Sequence, residues 1–251
     1  MTKTTHTLFD HLLELRSCLL KAVLSILIVF CSMIYFANDI YEYVSKPLLA
    51  TMPEGGQMIA TDVASSFFAP FKLTIVLAMF IAMPYILFQI WSFIAPGLYK
   101  NEKRLVAPLM FGSTFLFYLG IAFSYFVVFP LVFSFFTSVA PQGVTIATDI
   151  SSYLDFVLKL FFAFGIAFEI PIAIILMCWT GFTDPESLKA KRPYIVVAAF
   201  VIGMLLTPPD IISQTLLAIP MLILFEIGVL IASMQFGDKN DDTIDDADTV
   251  D

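Results

Sequence analysis

Charge is scarce in this chain. Asp, Glu, Lys and Arg make up 14% of its 251 residues, where an ordinary soluble domain carries about 25%. Cysteine is scarce too: Cys18, Cys31 and Cys178 show no metal-ligand spacing, so no disulfide framework is expected and they read as free thiols. His6 and His11 stand five apart with no cysteine or acidic cluster at ligand spacing. They read as solvated or cap-forming side chains, and no metal or other cofactor is expected. No Walker loop, zincin pair or nucleophile elbow occurs, which leaves a soluble-enzyme reading without a motif.

What the chain does have is apolar surface. Hydrophobic residues reach 59%, mean hydropathy is +0.91, and 27 Phe stand against 9 Tyr and 2 Trp. Water cannot be the main solvent for such a composition, and soluble enzyme, nucleic-acid binder and disordered regulator fall away together. The class that remains is an all-α integral membrane protein. The net charge of −8 is unevenly placed. From Asp238 onward seven aspartates face one Lys239, a net −6, which leaves −2 on residues 1–237. Those residues read as a single polytopic membrane domain, and 238–251 as an acidic tail with no apolar periodicity, expected to be disordered and cytoplasmic.

A spanning helix needs about 20 mostly apolar residues. Six stretches qualify or nearly do: Leu19–Phe36, Phe71–Ala95, Pro108–Phe136, Leu154–Trp179, Tyr194–Thr207 and roughly Ile211–Ala232. No small-residue cleavage site follows the first, so it reads as an uncleaved anchor. The fifth and sixth are expected to be short, and on length alone that pair also fits one re-entrant hairpin. Lys3, Arg16 and Lys21 flank the first span. Lys100, Lys103 and Arg104 fall in the second-to-third loop, and Lys189, Lys191 and Arg192 in the fourth-to-fifth. The opposite loops hold Lys46 alone, with Lys72 and Lys159 near span ends. Positive residues stay on the cytoplasmic side, so both termini are expected there.

The first outer loop contains an amphipathic stretch, Asp39–Val44, then Lys46-Pro47 and the turn Pro53-Glu54-Gly55-Gly56. An internal echo follows. Ile59-Ala60-Thr61-Asp62 recurs as Ile146-Ala147-Thr148-Asp149, and the same displacement of 87 maps Lys72 onto Lys159 and Pro84 onto Pro171. Thr-Asp before an apolar run is N-cap chemistry. The second and fourth spans are therefore expected to start on the outer side, run parallel and bend alike.

Few polar side chains lie where chemistry would need them. Leu8, Leu12, Leu15 and Leu19 step by helical spacing along one face of a helix entering the first span, with Asp10 and Glu14 on another. On the residues alone Glu14 reads as an interfacial acid balanced by Arg16, and Glu102 as a local salt bridge among Lys100, Lys103 and Arg104. Glu169 differs, because it sits near the middle of the fourth span, two residues before Pro171. An ionised carboxylate there costs about 2.5–3.5 kcal/mol on insertion scales, so such a residue is a functional candidate by default. Glu226 in the last span is a weaker case. Asp155 and Lys159, four apart, read as a structural pair.

Several longer runs resemble one family. His11-Leu12-Leu13-Glu14-Leu15-Arg16, Ile59-Ala60-Thr61-Asp62, and Phe93-Ile94-Ala95-Pro96-Gly97-Leu98-Tyr99 followed by Glu102 are similar to the TatC component of the twin-arginine protein translocase. So are Phe168-Glu169-Ile170-Pro171, Lys191-Arg192-Pro193-Tyr194 and Leu206-Thr207-Pro208-Pro209-Asp210. The resemblance covers about residues 8–236 in order. It implies a six-helix, multi-pass receptor in the bacterial cytoplasmic (inner) membrane, and not an enzyme. That receptor would bind Arg-Arg signal peptides of folded cargo, driven by the proton-motive force without nucleotide. Its partners would be single-span subunits of the TatA and TatB type and further copies of itself, with no nucleic acid. By the same resemblance Glu14 and Glu102 read the paired arginines, with Arg16, Phe93 and Pro96 around them. Glu169 is the intramembrane functional acid, Pro47 belongs to an outer cap, and Met204, Thr207 and Gln214 dock a partner helix. Guanidinium groups favour fixed carboxylates through bidentate, charge-assisted bonds that lysine cannot copy. A small-solute or ion transporter using Glu169 is the alternative. It would need polar residues from several helices converging at the midplane, and the first and third spans are almost wholly apolar.

Overall fold

The structure, a computed structural model, describes residues 3–51, 59, 63–94, 103–139, 149–206 and 211–236. The described residues are helical apart from short connections: α1 (Lys3–Met33), α2 (Ala37–Thr51), α3 (Val63–Ile94), α4 (Lys103–Phe123), α5 (Phe129–Val139), α6 (Ile150–Ala167), α7 (Ile170–Trp179), α8 (Pro185–Ala190), α9 (Arg192–Leu206) and α10 (Ile211–Phe236). Five helical stretches among them are long and apolar enough to cross a membrane, and α9 is a shorter apolar helix. Six membrane helices result, with α4 and α5 forming the third and α6 and α7 the fourth. Residues group into two compact units, one of 1–114 and 140–158 and another of 115–139 and 159–251.

In the first unit α1 packs along α3. At 31 residues, α1 is roughly 46 Å long at 1.5 Å per residue, well beyond a hydrocarbon core of about 30 Å. A helix of that length has turns to spare beyond the span. A single 3-10 turn, Ile34–Phe36, links α1 to α2. The amphipathic stretch expected at Asp39–Val44 is the middle of this longer helix, which continues through Lys46 and Pro47. On α3, Ala69, Leu73, Phe80, Leu87 and Trp91 are all buried and recur at helical spacing. The Trp91 indole N–H donates to Ser113 Oγ of α4 at 3.2 Å, satisfying two buried polar groups.

Ile59 of the first copy and Asp149 of the second are the parts of the internal echo that the described residues include. Ile59 and Asp149 form an isolated parallel bridge, in which Ile150 N–H donates to Ile59 C=O at 3.0 Å. The Asp149 carboxylate accepts from Ser151 N–H at 3.0 Å and Ser152 N–H at 2.9 Å, the N-cap the sequence calls for. The Asp155 partner is a correction. It is Lys72 of α3 that pairs with Asp155, a contact between helices 83 residues apart, and not Lys159 four residues on.

In the second unit the third span contains a widened π turn, Ser124–Val128. Its cause is Pro130, whose ring would strike the carbonyl four residues back, at Phe126, in an undistorted helix. Phe123 packs against Phe164 and Phe168, ring centroids 5.7 and 5.5 Å apart. A Cβ on Gly120 would run into the Phe164 carbonyl, so glycine lets the two helices close up there.

Helices α7, α8 and α10 build a core from Ile174, Cys178, Leu188, Phe225, Val229 and Ala232. The α7 terminus ends at Gly181, with φ +71, where Phe182 N–H donates to Met177 C=O at 3.0 Å and Gly181 N–H to Cys178 C=O at 3.2 Å. This is a Schellman stop, and it needs a residue tolerant of positive φ. Asp184 then caps α8 and seats its buried Leu188. All three cysteines are free thiols.

The expectation of two short final helices holds for the fifth only. α9 has 15 residues, but α10 has 26, because Ser233, Met234 and Gln235 continue the helix past Ala232. Two independent helices also replace the re-entrant hairpin. The spans expected to bend alike do not: α3 runs unbroken through Pro84, whereas the fourth span is interrupted before Pro171. The acidic tail lies outside the described residues.

Candidate functional site

Three places hold the residues singled out by sequence. The first is the start of the chain. Glu14 stands one helical turn after His11 on α1, its carboxylate oxygen Oε2 3.6 Å from His11 Nδ1. The His11 ring stacks on Phe93 in the last turn of α3, centroids 4.2 Å apart and planes inclined by 18°. Both α1 side chains stay accessible, 52% for His11 and 59% for Glu14. Arg16 is exposed two residues further on. Glu14 and Phe93 are thus brought to one place by the packing of α1 on α3. Glu102 and Pro96 lie outside the described residues, as does the side chain of Pro47 in α2. His11 is the residue that sequence reasoning set aside, and nothing in the linear order could place it on a ring 82 positions away.

The second place is the break in the fourth span. Pro171 has no N–H to give the Ala167 carbonyl, and its ring crowds that group, so α6 stops at Ala167 and α7 begins at Ile170. Phe168 and Glu169 form the turn between them, with Glu169 N–H donating to Ile166 C=O at 3.0 Å and Ala173 N–H to Glu169 C=O at 2.9 Å. Glu169 is half-buried at the N-cap of α7. A helix N-terminus carries partial positive charge, which favours an acid at this position over one inside a continuous helix. Glu226, the other intramembrane acid, accepts from the Arg192 guanidinium at 2.7 Å and so ties the start of α9 to α10.

The third place is where α9 meets α10. A Cβ on Gly203 would lie 3.4 Å from the Gln214 carbonyl oxygen, so the two helices approach closely beside Gln214. Met204, the next residue on α9, is exposed. Thr207 and Asp210 lie outside the described residues.

Six membrane helices, with an acid at a break in the fourth and an accessible carboxylate at the head of the first, define a polytopic helical membrane protein. Comparison with known proteins narrows this. The family model described as Sec-independent protein translocase protein (TatC) matches residues 10–220. The chain is 64% identical over 225 residues to the Sec-independent protein translocase protein TatC of Haemophilus influenzae, covering 90% of this chain and 88% of that one. With the protein of the same description from Escherichia coli strain K12 it shares 57% over 233 residues, or 93% and 90% of the two chains. A solved structure described as the twin arginine translocase receptor TatC superposes with a TM-score of 0.81 at 39% identity, covering 89% of this chain and 98% of that one. The chain belongs to the TatC family of Sec-independent protein translocase proteins. It is a multi-pass protein of the bacterial inner membrane and a component of the twin-arginine protein translocase.

Proposed function

We propose that this subunit is the receptor of its translocase, binding signal peptides with consecutive arginines at the head of the first span. One observation carries the reading: Glu14 is an accessible carboxylate beside His11, whose ring the packing of α1 on α3 stacks on Phe93. A fixed carboxylate at the membrane boundary, where water screens less than in bulk, suits a guanidinium that offers two parallel N–H donors. By the resemblance Glu102 is the second acid of the site, and Arg16, Phe93 and Pro96 take part in it.

Glu169 acts deeper, meeting the apolar part of the signal peptide or responding to its arrival. Met204, Thr207 and Gln214 dock single-span TatA- and TatB-type subunits, Pro47 belongs to an outer cap, and copies of the chain associate in the larger complex. The proton-motive force drives transport, and no nucleotide or other cofactor takes part. Support comes from the accessibility of Met204 and from the solved receptor that this chain resembles.

The test is binding of an Arg-Arg signal peptide to the purified chain. Binding should be largely lost on Lys-Lys substitution, leaving only a weak residual affinity, and should weaken with salt, though less steeply than for fully exposed charges. Glu14→Lys and Glu102→Lys should impair transport more than the Gln variants. Full transport by the Glu14→Ala, Glu102→Ala double variant would overturn the site.

A further inference from the structure

The contact between His11 and Phe93 has no structural necessity in an isolated helix pair, since both side chains are at the margin of the packed region. His11 is half-accessible, and one face of its ring lies flat on Phe93. The ring edge carrying Nδ1 points toward the Glu14 carboxylate, 3.6 Å away. A cation drawn to Glu14 therefore arrives beside a pair of nearly parallel aromatic rings, of which His11 stays 52% accessible.

We propose that His11 is a specificity-determining residue: with Phe93 it forms a two-ring ledge on which a guanidinium held by Glu14 lies flat. This rests on the receptor reading above and adds a second source of selectivity to it. A carboxylate alone attracts both arginine and lysine. The fork of a guanidinium improves its fit to the carboxylate, but only the planar group can also stack face to face on an aromatic surface. Lysine presents a compact, strongly hydrated ammonium that gains less from a flat ring and loses more water on reaching it. Histidine at position 11 thus divides two jobs with Glu14: the acid supplies charge, the stacked ring supplies shape.

The experiment uses the full chain in detergent, with a synthetic signal peptide carrying Arg-Arg and its Lys-Lys counterpart as probes. Affinities are measured for wild type, His11→Ala, His11→Phe and Glu14→Gln. Alanine is the best helix former, so His11→Ala leaves α1 intact. An exposed cation–π contact predicts that His11→Ala weakens the Arg-Arg peptide by roughly two- to fivefold and leaves the Lys-Lys peptide unchanged. His11→Phe, which keeps a stackable ring but has no ring nitrogen, should restore most of the loss. Equal weakening of both peptides by His11→Ala, or no weakening, overturns the ledge while the receptor reading stands. So does a His11→Phe variant as weak as His11→Ala, because the nitrogen and not the ring face would then matter. A wild-type chain with no preference for Arg-Arg, or Glu14→Gln binding like wild type, overturns the receptor reading and the ledge together.

Discussion

Gly228 of α10 lies directly against Pro171 of α7: a Cβ at position 228 would stand 2.9 Å from the Pro171 Cα and 2.8 Å from Ile174 Cδ1. Only a residue without a side chain lets α10 close over the bend that follows Glu169. Pro84, by contrast, is exposed on α3, and that helix continues without a break. The shape of the fourth span is therefore set by the proline together with the neighbour that fits against it.

Gly228→Ala should accordingly destabilise the second unit by about 1–3 kcal/mol, the usual cost of overpacking a well-filled site. Because the clash falls on Pro171 and Ile174, export should drop as well. Thermal unfolding in detergent and a transport assay measure the two effects. An unchanged melting temperature would show that α10 does not press on the bend.

Gly181 has a different reason to be glycine. Nothing lies within 4 Å of a Cβ built there, so space is not limiting, but φ is +71. Gly181→Ala should cost about 1–2 kcal/mol from backbone strain alone. Gly181→Asn should cost less, since asparagine tolerates the left-handed region at a helix stop. Equal stability of all three would remove the strain argument.

Much of this architecture is legible in sequence because lipid imposes a simple code: long apolar runs become helices. Asp149 as an N-cap follows from local chemistry and is seen, whereas Pro84 and Pro171 carry the same local signal and only the second follows a break in its helix. Long-range pairings carry no local signal. Asp155 has Lys159 one turn away in sequence, yet its partner is Lys72, and Glu226 meets Arg192 across 34 positions. The stack of His11 on Phe93 is of the same kind, invisible until α1 and α3 are packed. The sixth helix runs to Phe236, four residues past the apolar stretch that ends at Ala232.

Asp184 gives an acid-side pH dependence outside the membrane spans. Its carboxylate accepts from Ser187 N–H at 2.6 Å and from the Ser187 hydroxyl at 2.8 Å, and these bonds hold the carboxyl below its ordinary value. A lowered folded value means that the cap stabilises α8 fully above the unfolded carboxylate value of about 3.9, and loses that effect as pH falls through the folded value. The melting-temperature gap between wild type and Asp184→Ala should therefore be constant above about pH 5 and shrink under more acidic conditions. A gap independent of pH would show that the charge of the cap is irrelevant.

Orientation has a direct check. The bias of Lys and Arg toward alternate loops places a reporter fused after Gln142 outside the cytoplasm and one fused after Glu186 inside it. The opposite result at either position would reverse the assignment of both termini.

The last prediction follows from a length that does not fit its solvent. With 15 residues α9 spans roughly 22 Å, against a hydrocarbon core of about 30 Å, and tilt only increases the shortfall. Either the bilayer thins at this helix or another protein covers its ends. Met204 is 49% exposed near the end of α9, and Gln214 is partly accessible at the start of α10, beside Gly203. A polar side chain at that depth gains about 0.6–2 kcal/mol from a hydrogen bond to a partner helix. Cysteines at Met204 or Gln214 should crosslink to a single-span partner subunit. Phe117 is unsuited as a control because it is buried, and a cysteine there would be silent whatever the partner does. Phe111 and Phe115, 70% and 66% exposed on α4, offer surface as accessible as Met204 on a span of full length. Crosslinking from the α9–α10 edge well above that from α4 supports docking at the short helix. Equal yields from all four positions would mean that accessibility alone governs the contact, and that α9 is simply a shallow helix in a thinned bilayer.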